Sequence, residues 1–192
     1  MIIIIIGPPG SGKSTQSKLL SEKLGVPSIS MGQVLRDGKS AKTILGLEAA
    51  KYVEEGELVP ARLMEALTRF RLEEEDCAKG FVLDGAPRRA EEAVMLDDYL
   101  KEKGKKIDKV FLIKLSYEVA VARLLKRKKL PSEQGGGRLD DNPEDIKVRM
   151  REYEDNIEAV KVYYKNHDLL KQFDGAPTIE EIHTKMCNEL KI

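Results

Sequence analysis

Residues 2–6 are five consecutive isoleucines. A continuous apolar run of that length predicts a strand buried on both faces. Short apolar runs recur at residues 26–30, 81–83, 110–113 and 169–173, each a further strand candidate. Between them the apolar spacing turns helical. One helix is expected to run through Leu24, with Leu19, Leu20 and Leu24 as its apolar positions. The clearest helix spans residues 142–165. Asn142 and Pro143 form its cap and first turn. Ile146, Met150, Tyr153, Ile157, Val160 and Tyr164 then recur at alternating spacings of four and three, which predicts one buried stripe. Strands alternating with helices predict a parallel α/β sheet. Two segments stand outside this pattern. Residues 31–59 look helical but small. Residues 128–140 carry Pro131 and the Gly135, Gly136, Gly137 run, a composition that predicts a flexible flap.

The 192 residues suffice for one compact domain with small inserts. Lys+Arg and Asp+Glu both count 33, so the net charge is zero, which argues against bulk attraction to nucleic acid or to anionic membranes. The isoleucine run is too short to span a bilayer or to form a signal-peptide core. Cys77 and Cys187 lie far apart without metal-type spacing, which predicts packing roles in a reducing compartment and a cytoplasmic protein.

Directly after the isoleucines comes Gly7-Pro8-Pro9-Gly10-Ser11-Gly12-Lys13-Ser14-Thr15. It matches G-x-x-x-x-G-K-[ST], the P-loop, with a strand before it and a helix after it. Backbone N–H groups at a helix N-terminus hold dense negative charge, as a triphosphate carries. The pattern predicts that Gly10, Ser11, Gly12, Lys13, Ser14 and Thr15 bind ATP, with Lys13 reaching the outer phosphates and Ser14 or Thr15 turning a hydroxyl to Mg²⁺. Asp84 ends a buried strand, where a carboxylate can orient Mg²⁺ through water; a strand-end turn before Gly85 is the plainer alternative. The fold class expected is a three-layer P-loop nucleoside-triphosphatase fold with a central parallel sheet of five strands.

Further motifs narrow the chemistry. Ser30-Met31-Gly32-Gln33-Val34-Leu35-Arg36 follows the second strand, then Gly56-Glu57-Leu58-Val59, then Asp84-Gly85-Ala86-Pro87-Arg88. Arg123 and Arg127 stand one helical turn apart. Arg138-Leu139-Asp140-Asp141-Asn142 and Arg149 close the set. In this order the motifs resemble the adenylate kinase family of nucleoside monophosphate kinases, in its short-lid form, over essentially the whole chain. The resemblance implies a reversible Mg²⁺-dependent phosphoryl transfer, ATP plus AMP giving two ADP. It implies a single domain over residues 1–192, with a monophosphate-binding insert at 30–59 and a lid at 128–140. It places Met31, Arg36, Glu57, Leu58, Val59, Gly85, Arg88, Glu92, Arg138 and Arg149 at the monophosphate. It brings Arg123, Arg127, Arg138 and Arg149 to the triphosphate and the transferring group, and Arg123 and the backbone of Ala176 to the donor adenine. Lys13, Asp84, Arg88, Arg123, Arg127, Arg138 and Arg149 are then the catalytic set. A monomer that binds ATP and a monophosphate, and neither nucleic acid nor membrane, is the expectation.

The chemistry is consistent with that set. Bringing two polyanions together calls for positioning and charge neutralisation rather than a strong base. Guanidinium forks grip phosphate oxygens in pairs. The two histidines, His167 and His183, come late and read as helix-end or surface residues. Asp140 and Asp141 read equally as latches for the flap arginines or as helix-start carboxylates. The 174–178 loop reads as an adenine contact or as a turn capped by Thr178. Departures from the family pattern are Met31 for threonine, Gln33 for aspartate, Ala86 for an aromatic, Ser14 for a frequent glycine, and Glu92 for an adenine-reading glutamine. A carboxylate accepts from an amino group but repels the purine N1 lone pair, and so suits guanine or uracil N–H donors. Broad or altered monophosphate specificity, and a nucleotide-driven switch acting with a protein partner, are the competing readings.

Overall fold

The computed structural model describes residues 1–54, 57, 59–130 and 141–192. The lid expected at 128–140 is described only at residues 128–130, and Arg138, Asp140 and Leu58 lie outside the described residues. The described elements run β1 (Ile2–Ile6), α1 (Lys13–Leu24), β2 (Ser28–Ser30), α2 (Met31–Ser40), α3 (Ile44–Glu54), α4 (Ala61–Leu72), β3 (Phe81–Asp84), α5 (Ala90–Glu102), β4 (Lys109–Lys114), α6 (Tyr117–Lys128), α7 (Pro143–Asn166), β5 (Leu170–Asp174) and α8 (Ile179–Leu190). The five strands form one parallel sheet in the order β2-β3-β1-β4-β5.

The isoleucine run explains the layering. Side chains alternate across a strand. Ile2, Ile4 and Ile6 join a core beneath α4, α5 and α7, with Leu67, Leu96, Leu100 and Tyr164. Ile3 and Ile5 face the other way, onto Leu20 of α1 and Ile182 and Met186 of α8. All five are buried, as a central strand between two helical layers requires. The expected fold class therefore holds.

Strand order reverses at β1. Helix α1 leaves β1 on one face, and α5 leaves β3 on the other. The crevice past the C-terminal ends of β1 and β3 is thus a topological switch point, the place where ligands bind in open α/β sheets.

Local differences from expectation have local causes. Strand β2 begins at Ser28 rather than Val26. The Val26 N–H turns back to the Ser21 carbonyl, and Pro27 offers only its carbonyl, which accepts from Val82. Helix α1 buries Gln16, Ser17 and Ser21 beside Leu20, so its inner face is more polar than the leucines suggest. Ser17 shares a hydrogen bond with Ser28 (2.7 Å), and Gln16 donates to the Ile179 carbonyl (2.8 Å). These bonds offset the burial of Ser17 and of the Gln16 amide nitrogen, while Gln16 Oε1 has no partner among the described residues. In α7 the predicted stripe forms: Ile146, Met150, Val160 and Tyr164 are buried, and Tyr153 and Ile157 half-buried.

Residues 31–54 form two helices, α2 and α3, that cross at Gly38 and Gly46. A Cβ at Gly46 would lie 2.2 Å from the Gly38 carbonyl carbon, so only glycine permits this approach.

Candidate active site

The P-loop occupies the turn between β1 and α1. Gly10 holds a left-handed φ of +80°, and a Cβ there would stand 2.7 Å from the Ala120 carbonyl oxygen. The loop is thereby packed tightly against α6. Ser11 donates its backbone N–H to Pro8, and its buried side-chain oxygen has no hydrogen-bond partner among the described residues. No acidic residue sits in the first turn of α1, so the positive end of that helix is left for an anion.

Lys13 opens α1 and curls its Nζ back to the Pro8 carbonyl (2.9 Å). Burial pushes its pKa down to about 8; Asp84 pulls it upward, while Arg88, Arg149 and Arg127 push it further down. The Lys13 charge is thus held in a site where burial, and beyond it the nearby arginines, disfavour it. At the next residue of the helix, the Ser14 hydroxyl donates to Asp84 Oδ2 (2.5 Å). Asp84 is buried at the end of β3, and its Oδ1 has no partner among the described residues. Thr15 is exposed.

A cleft of about 660 Å³, counted with its open mouth, lies at the switch point. Gly7, Pro9 and Lys13 form one wall, Gly85, Pro87 and Arg88 the second, and Arg149 and Tyr153 of α7 the third. Three cationic side chains from separate elements thus converge on one space. Arg88 Nε donates to the Gly85 carbonyl (3.1 Å), which fixes its fork at the cleft wall. Glu152 also lines the cleft. Burial raises its pKa against the pull of Arg88, Arg89 and Arg149. Sequence reasoning passed it over, although it sits three residues after Arg149 on one face of α7.

Arg36 is not among the cleft-lining residues. It is exposed on α2, held by Gln33 Oε1 (2.7 and 3.2 Å). Its Nη1 lies over Gly32, 3.4 Å from where a Cβ would stand, and Gly32 in turn backs onto Gly85. The guanidinium thus flanks the wall that carries Arg88. Met31 is fully buried, its sulfur near the Thr68 hydroxyl, so its side chain faces the core. Val59 is buried and its carbonyl accepts from Arg89 (3.2 Å), whereas Glu57 is exposed. Glu92 sits in the first turn of α5, and its Oε2 accepts the Arg88 backbone N–H (2.7 Å).

Between α6 and α7, Arg127 forms a fork on Asp141 (2.7 and 2.6 Å), and Arg149 adds a third contact to the same carboxylate (3.2 Å). Of the two open readings of Asp141, ion pairing with arginines is the one realised. The helix-start role falls to Asn142, which accepts from the Glu144 and Asp145 N–H groups. Arg123 reaches the Ala176 carbonyl at 3.5 Å. Thr178 caps α8 in a capping box with Glu181. His167 ends α7, and His183 lies on α8 against Cys187. Both cysteines are free and buried.

A P-loop at the switch point of a parallel sheet, facing a second arginine-bearing wall across one cleft, is the arrangement of a nucleotide-dependent phosphotransferase. A sequence model of the family described as Adenylate kinase matches residues 5–169. Among the similar proteins are adenylate kinases of Mycolicibacterium paratuberculosis (41% identical, covering 96% of each chain), Clostridium tetani (37%, covering 99% of this chain and 98% of the relative) and Archaeoglobus fulgidus (38%, covering 95% and 94%). The chain belongs to the adenylate kinase family, phosphotransferases whose acceptor is itself a phosphate group. No helix among the described residues is long and apolar enough to cross a membrane.

Proposed function

We propose that this chain transfers a phosphoryl group in line from ATP to AMP, reversibly, yielding two ADP. The observation that carries the reading is the convergence of Lys13, Arg88 and Arg149 on one cleft between the β1 and β3 loops. On this reading Gly10, Ser11, Gly12, Lys13, Ser14 and Thr15 hold the triphosphate, while Arg36, Arg88 and the segment through Val59 hold the monophosphate. Arg123 and the Ala176 backbone face the donor base. Arg127, Arg138 and Arg149 neutralise charge as the phosphoryl group moves. The acceptor oxygen is already anionic, so positioning and charge shielding supply the catalysis.

The residues present fit a magnesium ion. Asp84 offers a buried carboxylate oxygen without a partner among the described residues, next to the Ser14 hydroxyl. Hard oxygen donors with room for water suit Mg²⁺. When bound with ATP, the ion would neutralise phosphate charge, held by Ser14 and, through water, by Asp84.

Lys13 makes this reading testable by pH. Burial brings the Lys13 pKa down to about 8, below its ordinary value. A triphosphate beside it favours the charged form. Above pH 8, binding of ATP is therefore expected to take up as much as about one proton and to weaken as pH rises. Calorimetry at pH 9 in two buffers of different ionisation enthalpy measures this uptake, and Lys13→Met abolishes it. No uptake in the wild-type protein at pH 9 would separate Lys13 from the phosphates.

A carboxylate at position 92 favours a second reading, altered base preference. Coupled ADP production from ATP with AMP, GMP, CMP and UMP in turn decides between them. AMP is expected to lead. Glu92→Gln is expected to improve AMP relative to the other three by roughly tenfold, since an amide can also donate to the purine N1. An unchanged ranking shows that Glu92 does not read the base. Rapid ATP turnover indifferent to all four monophosphates overturns the kinase reading in favour of a switch.

A further inference from the structure

A second cavity lies between α4 and α5, about 350 Å³ counted with its mouth. Pro87 lines both this cavity and the transfer cleft, so the two share a wall. The remaining walls are mainly apolar: Met64 on one side, Ala86 at the base, Leu96 and Tyr99 on the other. Its polar groups are largely committed. Thr68 donates its hydroxyl to the Met64 carbonyl (2.7 Å), and Glu65 pairs with Arg69 (2.9 Å). Glu92 also lines it, with Oε2 taken by the Arg88 N–H. Burial raises the pKa of that carboxyl.

Ala86, one of the smallest side chains, is among the residues that line the space. Ala86 is buried, immediately before the Pro87 and Arg88 of the cleft wall. A bulky side chain there would fill the cavity. A buried apolar hollow of this kind is a poor site for water, which needs two or more polar partners. It suits a ligand group that offers an N–H to a carboxylate and an alkyl carbon to Met64, Leu96 and Tyr99.

We infer that the Ala86 cavity between α4 and α5 receives an alkyl substituent on the exocyclic amine of the acceptor purine, so that amine-alkylated adenosine monophosphates are substrates. This rests on the reading of the Arg88 wall as the acceptor site. A secondary amine keeps one N–H for Glu92 and sends its alkyl group past it into the hollow.

The test compares AMP with AMP methylated on its exocyclic amine, by coupled ADP production. In the wild-type protein kcat/KM for the methylated acceptor is expected within about fivefold of AMP. A closed pocket would reject the added carbon by roughly a hundredfold. Ala86→Leu fills the hollow and is expected to lower the ratio of methylated to plain AMP at least about tenfold. Leu96→Phe fills it from α5 and serves as the second variant, with the same ratio expected. Thermal melts report whether each variant folds. Rejection of the methylated acceptor by the wild-type protein, with AMP still used, overturns the cavity assignment and leaves the kinase reading intact. An equal loss for both acceptors in the two folded variants also overturns it. Failure to use AMP at all overturns the kinase reading, and the cavity assignment falls with it.

Discussion

Replacing Lys13 with alanine is expected to lower kcat/KM for ATP by on the order of a thousandfold, the scale seen when one preorganised charge-stabilising donor is removed. Lys13 is anchored by the Pro8 carbonyl and lies on the cleft wall opposite Arg88. Burial makes its charge costly, which is why its pKa falls to about 8. That cost disappears when phosphate oxygens arrive, so the lysine contributes to binding and transfer rather than to folding. The sign follows from linkage. A lysine whose folded pKa lies below its unfolded value binds fewer protons folded than unfolded between about pH 8 and 10.5. It destabilises the fold fully below that window. The thermal midpoint of Lys13→Ala at pH 7 is therefore expected not to fall, while ADP formation collapses. Circular dichroism and a coupled assay on one preparation measure both. Near-normal ADP formation would remove the loop from the chemistry.

What the sequence made legible were features whose physics is local. An unbroken isoleucine run has one good home, the centre of a sheet covered on both faces, and β1 occupies it. The P-loop spacing likewise forces a strand, a tight turn and a helix N-terminus. The stripe on α7 was legible because 3.6-residue periodicity needs no partner to be recognised. Features that depend on a partner were not. The inner face of α1 is lined by Gln16, Ser17 and Ser21, and burial of such residues becomes intelligible only once Ser28 and the Ile179 carbonyl are seen opposite. The burial of Met31 beside Thr68 is of the same kind, since it depends on α4, a helix the sequence pattern had not singled out. Glu152 reads as a surface carboxylate among many on a charged helix. Its place in the cleft depends on how α7 packs across the β3 loop.

The choice between two readings of Asp141 is of the same kind, and it carries the second large effect. Its side chain is fully buried at the start of α7 and is gripped by Arg127 from α6 and by Arg149 from α7. Asp141→Ala would leave two guanidinium groups beside a hole. Removing one partner from a buried ion pair costs about 3–5 kcal/mol, because the surviving charges lose the carboxylate that offsets their desolvation. For a chain of this size that corresponds to a fall in Tm of roughly 6–20 °C. Burial alone would raise the Asp141 pKa, but hydrogen bonds and charge from Arg127 and Arg149 outweigh it and hold the carboxyl below its ordinary value. A depressed carboxylate contributes stability above its unfolded pKa and loses it as pH falls through the folded one. The difference in Tm between wild-type and Asp141→Ala is therefore expected to be full at neutral pH and to shrink below about pH 4. Asp141→Asn keeps hydrogen-bond acceptance but not charge, and is expected to fall between the two. A small, pH-independent effect of Asp141→Ala would mean that the arginines find water or other acceptors at no cost. The α6–α7 junction would then be held by Ala120, Leu124, Ile146 and Met150, the apolar cluster beneath it.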